Sequence, residues 1–255
     1  MKWPGKKYLI AASLVLTLGV SLFLFQIILR PEVAEQTSLP TKPTLTPQLI
    51  PSPTPTAIPT PITQFVNLDI PFTSQAPFGN WSDPREQNGC EEAAVLMVIK
   101  WKQKKGLSKQ EALSEIIASS LYQEEHFGTS HDTSAKDTAE RIIKGYYNYP
   151  NVKVKNDITI EDIIEEIMAN HPVIIPADGQ VNGNPYYTPP GPERHMIVIK
   201  GYDPNTREFI TNDPGTRHGA NYRYPEKVLY NAIRDYPTGV NVPIQGVKKA
   251  IIVIL

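Results

Sequence analysis

The chain reads as an α+β protein with a mainly antiparallel sheet, set behind one membrane-spanning segment and a proline-rich spacer. Three observations predict this. Most helix-like periodicities precede most strand-like runs, the order expected of α+β rather than of a doubly wound parallel sheet. Two of the apolar runs, "HMIVIKGY" and "REFITN", are separated by "DPNT", a hairpin-like spacing. The 25 prolines of the 255 residues are unevenly placed, with eight of them between residues 39 and 63.

Residues 8–29, "YLIAASLVLTLGVSLFLFQIIL", form a 22-residue run with no formal charge. As a helix it would extend about 33 Å, enough to cross a bilayer core of about 30 Å. Lys2, Lys6 and Lys7 precede it, while Arg30 is followed closely by Glu32 and Glu35. This bias places residues 1–7 in the cytoplasm and everything beyond the span outside. A cleaved signal peptide is the rival reading. The run ends in "FQIILRPEVAEQ", without a small-residue cleavage pattern, so an uncleaved signal anchor in the plasma membrane is expected. Residues 30–63 form a Pro/Thr-rich linker, with eight prolines between 39 and 63. Proline removes amide donors and fixes φ, so this stretch is an extended spacer.

Residues 64–255 form the folded domain, long enough for one substantial core. "FVNLDIPF" alternates and predicts a short strand. Residues 90–104 predict a mostly buried helix. Ser108, with Glu111 three residues on, opens a second helix, and Thr133 or Ser134 opens a third. "TIEDIIEEIMAN" carries the 3.6-residue period behind Thr159. "PVIIPA", "HMIVIKGY", "REFITN" and "KKAIIVIL" are strand-like, and "PEKVLYNAIRDY" is a short helix between the last two. The formal net charge of −1 gives no sign of nucleic-acid binding, and no nucleic-acid partner is expected.

Cys90 is the only cysteine, so the chain has no internal disulfide. Gly89 precedes it, which sets Cys90 at a helix N-terminus, where free amides favour an anion. An accessible thiol of lowered pKa is expected, against the opposing charges of Glu91 and Glu92. Five histidines compete to partner it. His126, His131 and Asp132 share a polar loop, at a spacing too sparse for a metal site. His171 follows a helix end, and His218 lies in a turn. His195 begins an apolar strand, a rigid platform for a base. Antiparallel pairing with the next strand would bring Asp213 close to it, where a carboxylate fixes the imidazole tautomer. Gln75, behind "LDIPFTSQ", could supply an oxyanion donor together with the Cys90 backbone N–H, with Gln87 the alternative.

The segments "IPFTSQAPFGNW…NGCEEAAVLM", "PVIIPADG" and "GPERHMIVIKGYDPNTREFITNDPGT" together resemble papain-like cysteine peptidases, in the stand-alone branch related to the bacteriocin-leader (double-glycine) peptidases. The resemblance runs over residues 68–235. It implies a papain-like fold with Cys90 as nucleophile, His195 as general base and acid, Asp213 as orienting carboxylate and Gln75 as oxyanion donor. A peptide or protein substrate is expected, with no cofactor and no metal. Two features depart from the leader peptidases. Cys-Glu-Glu stands where they commonly have Cys-Gly-Pro, and the chain has no P-loop pattern. Leader processing coupled to export is therefore not implied. The expected function is that of a membrane-anchored extracytoplasmic peptidase or amidase. A non-catalytic binding module and an acyl or peptidyl transferase with the same triad are the alternatives.

Overall fold

The computed structural model describes residues 64–255. The apolar run 8–29 and the linker lie outside the described residues; among those described, no helix is long and apolar enough to cross a membrane.

The chain enters through β1 (Val66–Asn67) and a short helix α1 (Pro84–Gln87). Two longer helices follow, α2 (Cys90–Lys102) and α3 (Lys109–Phe127). Next comes α4 (Ala135–Asp137), which runs on into a π-helical stretch, Thr138–Tyr146. The remaining order is β2 (Val152–Asn156), α5 (Ile160–Met168), β3 (Val173–Ala177), β4 (His195–Asp203), β5 (Glu208–Asn212), β6 (Ala220–Pro225), α6 (Glu226–Ala232) and β7 (Ala250–Ile254). The predicted α+β class is what the structure holds.

Every strand pairing is antiparallel, in the order β2-β7-β3-β4-β5-β6. β4 is the spine of the sheet. One of its edges carries β5 along Val198–Asp203. The other carries β3 along His195–Ile199 and then β1 at Gly201 and Tyr202. That last approach is close: a Cβ on Gly201 would lie 2.4 Å from the Val66 carbonyl oxygen, so only glycine fits there.

β3 and β7 are buried at every residue, and β4 at every residue but its last. Successive strand residues point to opposite faces, so both faces of the central sheet are covered. α2 packs on β4 and on α3, while α5 packs on β3 and β4. Met97 and Val98 of α2, Ile197 and Ile199 of β4, Ile163 and Ile167 of α5 and Ile252 of β7 belong to one continuous core.

Helix starts follow the predicted caps. Ser108 accepts from the Glu111 amide, and Ser134 from the Asp137 amide. Thr159 and Asp162 complete a reciprocal capping box. The structure departs from expectation at three places. The first strand is only two residues long: the Leu68 amide still donates to the Lys200 carbonyl of β4, and beyond it Asn212 Nδ2 donates to the Ile70 and Pro71 carbonyls. Beyond Asp137 the third helix widens to π geometry. Strands β2 and β6 form where none was expected; both are short polar segments, ordered by pairing with β7 and β5.

Candidate active site

Gly89 and Cys90 meet at the mouth of α2. A Cβ on Gly89 would lie 2.5 Å from the Arg85 carbonyl and 2.9 Å from Ile116 Cγ2, so α1, α3 and the start of α2 converge on a residue without a side chain. Cys90 follows as the first residue of α2. Its amide has no acceptor inside the helix, as at any helix start.

β4 begins at His195, and β5 ends one residue before Asp213. Val198 pairs with Asn212. Continuing that register sets Asp213 opposite Ile197, two residues from His195 on the same face. The side chains meet: His195 Nε2 and Asp213 Oδ1 are 2.7 Å apart. His195 Nδ1 is left as the ring nitrogen available to the cavity that His195 lines together with Cys90, Gln75 and Asp132. That cavity is about 1200 Å³, and exposed Phe78, Trp81 and Tyr186 also line it.

Asp213 is wholly buried and saturated with donors. Oδ1 also accepts the Gly215 amide at 3.0 Å. Oδ2 accepts the Tyr187 hydroxyl at 2.5 Å, the Tyr224 hydroxyl at 2.7 Å and Asn184 Nδ2 at 3.1 Å. Burial alone would raise its pKa. The His195 charge and the hydrogen bonds from His195, Tyr187 and Tyr224 overcome this and hold it below the usual carboxylate value. Burial and the same carboxylate push both tyrosines up, so they remain donors. The Tyr187 ring also stands edge-on to the imidazole, with centroids 5.5 Å apart.

The thiol differs from expectation. Cys90 is only 5% exposed, and its Sγ–H donates to Glu91 Oε2 at 3.1 Å. Burial, then the Glu91 charge and hydrogen bond, push its pKa well above the ordinary thiol value, with Asp132 and Glu92 adding to the rise. The expectation of an accessible, acidified thiol is therefore corrected. Glu91 and Glu92 look like ordinary first-turn acids in the sequence, but the fold buries both and lets their fields act on the sulfur.

Gln75 Nε2 donates to the carbonyls of Glu86 at 3.1 Å and Gln87 at 2.7 Å, and its Oε1 is buried without a partner. A flipped amide would set Oε1 against two carbonyl oxygens, so the hydrogen bonds fix the orientation. Its Nε2 is thus engaged with the turn that leads into Cys90, while Gln75 also lines the cavity that Cys90 and His195 share. Gln87 is exposed and contributes only its carbonyl here.

The other histidines stay apart from this centre or at its rim. His126 bonds to the Tyr122 carbonyl, and His171 to Glu166. His218 stacks on Tyr186 at the cavity edge. Asp132 pairs with Arg194 at 3.4 Å. Among the described residues no cluster of His, Cys, Asp and Glu could hold a metal ion. Sequence reasoning missed Asn184, Tyr187 and Tyr224, whose partner lies 11 to 29 residues away. For Asn184 and Tyr187 the one available signal was the composition of the loop before His195; for Tyr224, in β6, there was none.

The model of the Peptidase_C39-like family matches residues 67–237. Among solved structures, a Bacillus anthracis protein described as a C39-like peptidase overlaps with a TM-score of 0.46 at 16% identity. The match covers 75% of this chain and 98% of that one. No curated protein matches the sequence.

Proposed function

Because the chain belongs to the Peptidase_C39-like family, which carries a cysteine peptidase-type function, we propose that it hydrolyses a peptide or amide bond through Cys90, His195 and Asp213. The observation that supports this best is the 2.7 Å His195–Asp213 contact, made by a histidine that shares one cavity with the only cysteine of the chain.

In the proposed reaction Cys90 Sγ attacks the substrate carbonyl carbon while its proton passes to His195 Nδ1. The Cys90 backbone N–H faces the developing oxyanion. The imidazolium, held by Asp213, then protonates the leaving amine as the C–N bond breaks. Water, deprotonated by His195, cleaves the thioester and restores the thiol. Gln75 serves as a positioning residue that ties down the Glu86 and Gln87 carbonyls ahead of the nucleophile. The proposed setting is extracytoplasmic, with residues 8–29 as the anchor and a peptide or protein as substrate.

The test is a peptide library incubated with the full chain, with Cys90→Ala and with His195→Ala. Cleavage is expected from the parent alone. Equal cleavage by Cys90→Ala would refute the assignment of the nucleophile.

A further inference from the structure

Three donors from separate parts of the chain converge on the Glu91 carboxylate. Oε2 takes the Cys90 thiol at 3.1 Å. Oε1 takes the Thr133 amide at 3.1 Å and the Tyr236 hydroxyl at 2.8 Å, from 42 and 145 residues away. All four residues are buried. A carboxylate pinned at one oxygen by two remote donors is an oriented acceptor, and its free oxygen is aimed at the sulfur. The imidazole of His195 is anchored the other way, on Asp213.

We propose that Glu91 is a positioning residue that keeps Cys90 at rest as a neutral thiol, its proton donated to the carboxylate. The proton then passes to His195 only when a substrate carbonyl is attacked. This rests on the reading of Cys90 as the nucleophile.

The charges around the sulfur agree with this. Glu92 on α2, Asp132 on the loop before α4, and Glu91 itself all oppose a thiolate. Tyr236, after α6, is a donor and brings no positive charge. Arg194, before β4, is partly offset by Asp132. His195, what remains of the Arg194 charge and the start of α2 favour the anion. A resting thiolate would lie about 3 Å from a carboxylate in a buried site, where like charges repel strongly. The arrangement leaves the nucleophile guarded: a thiol reacts far more slowly than a thiolate with alkylating agents and oxidants.

The chain has one cysteine, so any S–H stretching band in the infrared spectrum of the full protein belongs to Cys90, and Cys90→Ser supplies the blank. The band is expected at pH 7 and should persist above the ordinary thiol range of about 8.5. Iodoacetamide labelling should follow the same profile. Glu91→Gln should lower its midpoint by about one pH unit and speed labelling at pH 7 about tenfold. Tyr236→Phe, which removes one of the two pins, should give a smaller shift in the same direction. His195→Ala should abolish turnover without lowering the labelling midpoint. The proposal is overturned if the S–H band is missing at pH 7 and labelling below neutrality depends on His195. It is equally overturned if Glu91→Gln keeps its circular dichroism and its labelling profile unchanged. Should Glu91→Gln fail to fold, the parent's S–H band and Tyr236→Phe decide. A protein that shows the band but cleaves nothing keeps the Cys90–Glu91 contact and refutes the catalytic reading instead.

Discussion

A Cβ added at Gly215 would lie 2.8 Å from His195 Cε1 and 2.9 Å from Nε2. Gly215→Ala should therefore tilt the imidazole and lower turnover far more than stability, which a comparison of kinetics with denaturant midpoints will show. The same crowding is worse at Gly219, where a Cβ would fall 1.8 Å from the Asp213 carbonyl. Asp213 carries a second prediction. Its folded pKa lies below the usual value, so its ionised form stabilises the fold above the unfolded pKa of about 3.9. That contribution is lost as pH falls through the folded value. Removing a hydroxyl that donates to this carboxylate costs about 1–3 kcal/mol. Tyr224→Phe should thus be less stable at pH 7, and its deficit should shrink below about pH 4. A deficit that is constant with pH would mean that Tyr224 acts by packing alone. That His195 and Asp213 lie together was legible in the sequence because each stands at the boundary of a strand with a recognisable apolar run. Glu91 and Tyr224 were not, because their roles come from partners that only the fold assembles.

α2 was readable as a buried helix from "VLMVIKW", and the structure buries it from Cys90 to Lys100. What could not be read was that its first-turn acids lie inside. Glu92 Oε1 accepts from Gln123 Nε2 at 2.6 Å, while Oε2 is buried without a partner. Burial, then the Glu91 charge, push its pKa well up. A carboxyl whose folded pKa exceeds its unfolded value of about 4.3 stabilises the fold at acid pH and loses that contribution as pH rises. Glu92→Gln should therefore flatten the pH dependence of stability between about pH 4 and 7, and be at least as stable at pH 7. Urea unfolding across that range checks this; an equal loss of stability at both ends would contradict it. The end caps were more legible, being local. Thr159→Ala removes one half of the capping box of α5 and should cost about 1 kcal/mol.

On the scale of the whole molecule, the order of helices and strands was enough to predict an α+β fold with an antiparallel sheet. Pairing order was not readable. β7, the last strand in the chain, inserts between β2 and β3, a long-range choice made by core packing. The topology proposed for the N-terminal region predicts that protease added to intact cells cuts within residues 30–63 and releases the folded domain; cutting only after lysis would reverse the orientation. The central claim is that the Cys90 sulfur forms the covalent bond to substrate, and mass spectrometry of acid-quenched turnover tests it most directly. The account predicts a substrate-derived thioester on the peptide containing Cys90 in the parent, and none in His195→Ala. Sustained turnover with Cys90 unmodified throughout, or turnover by Cys90→Ala at the parent rate, would contradict it.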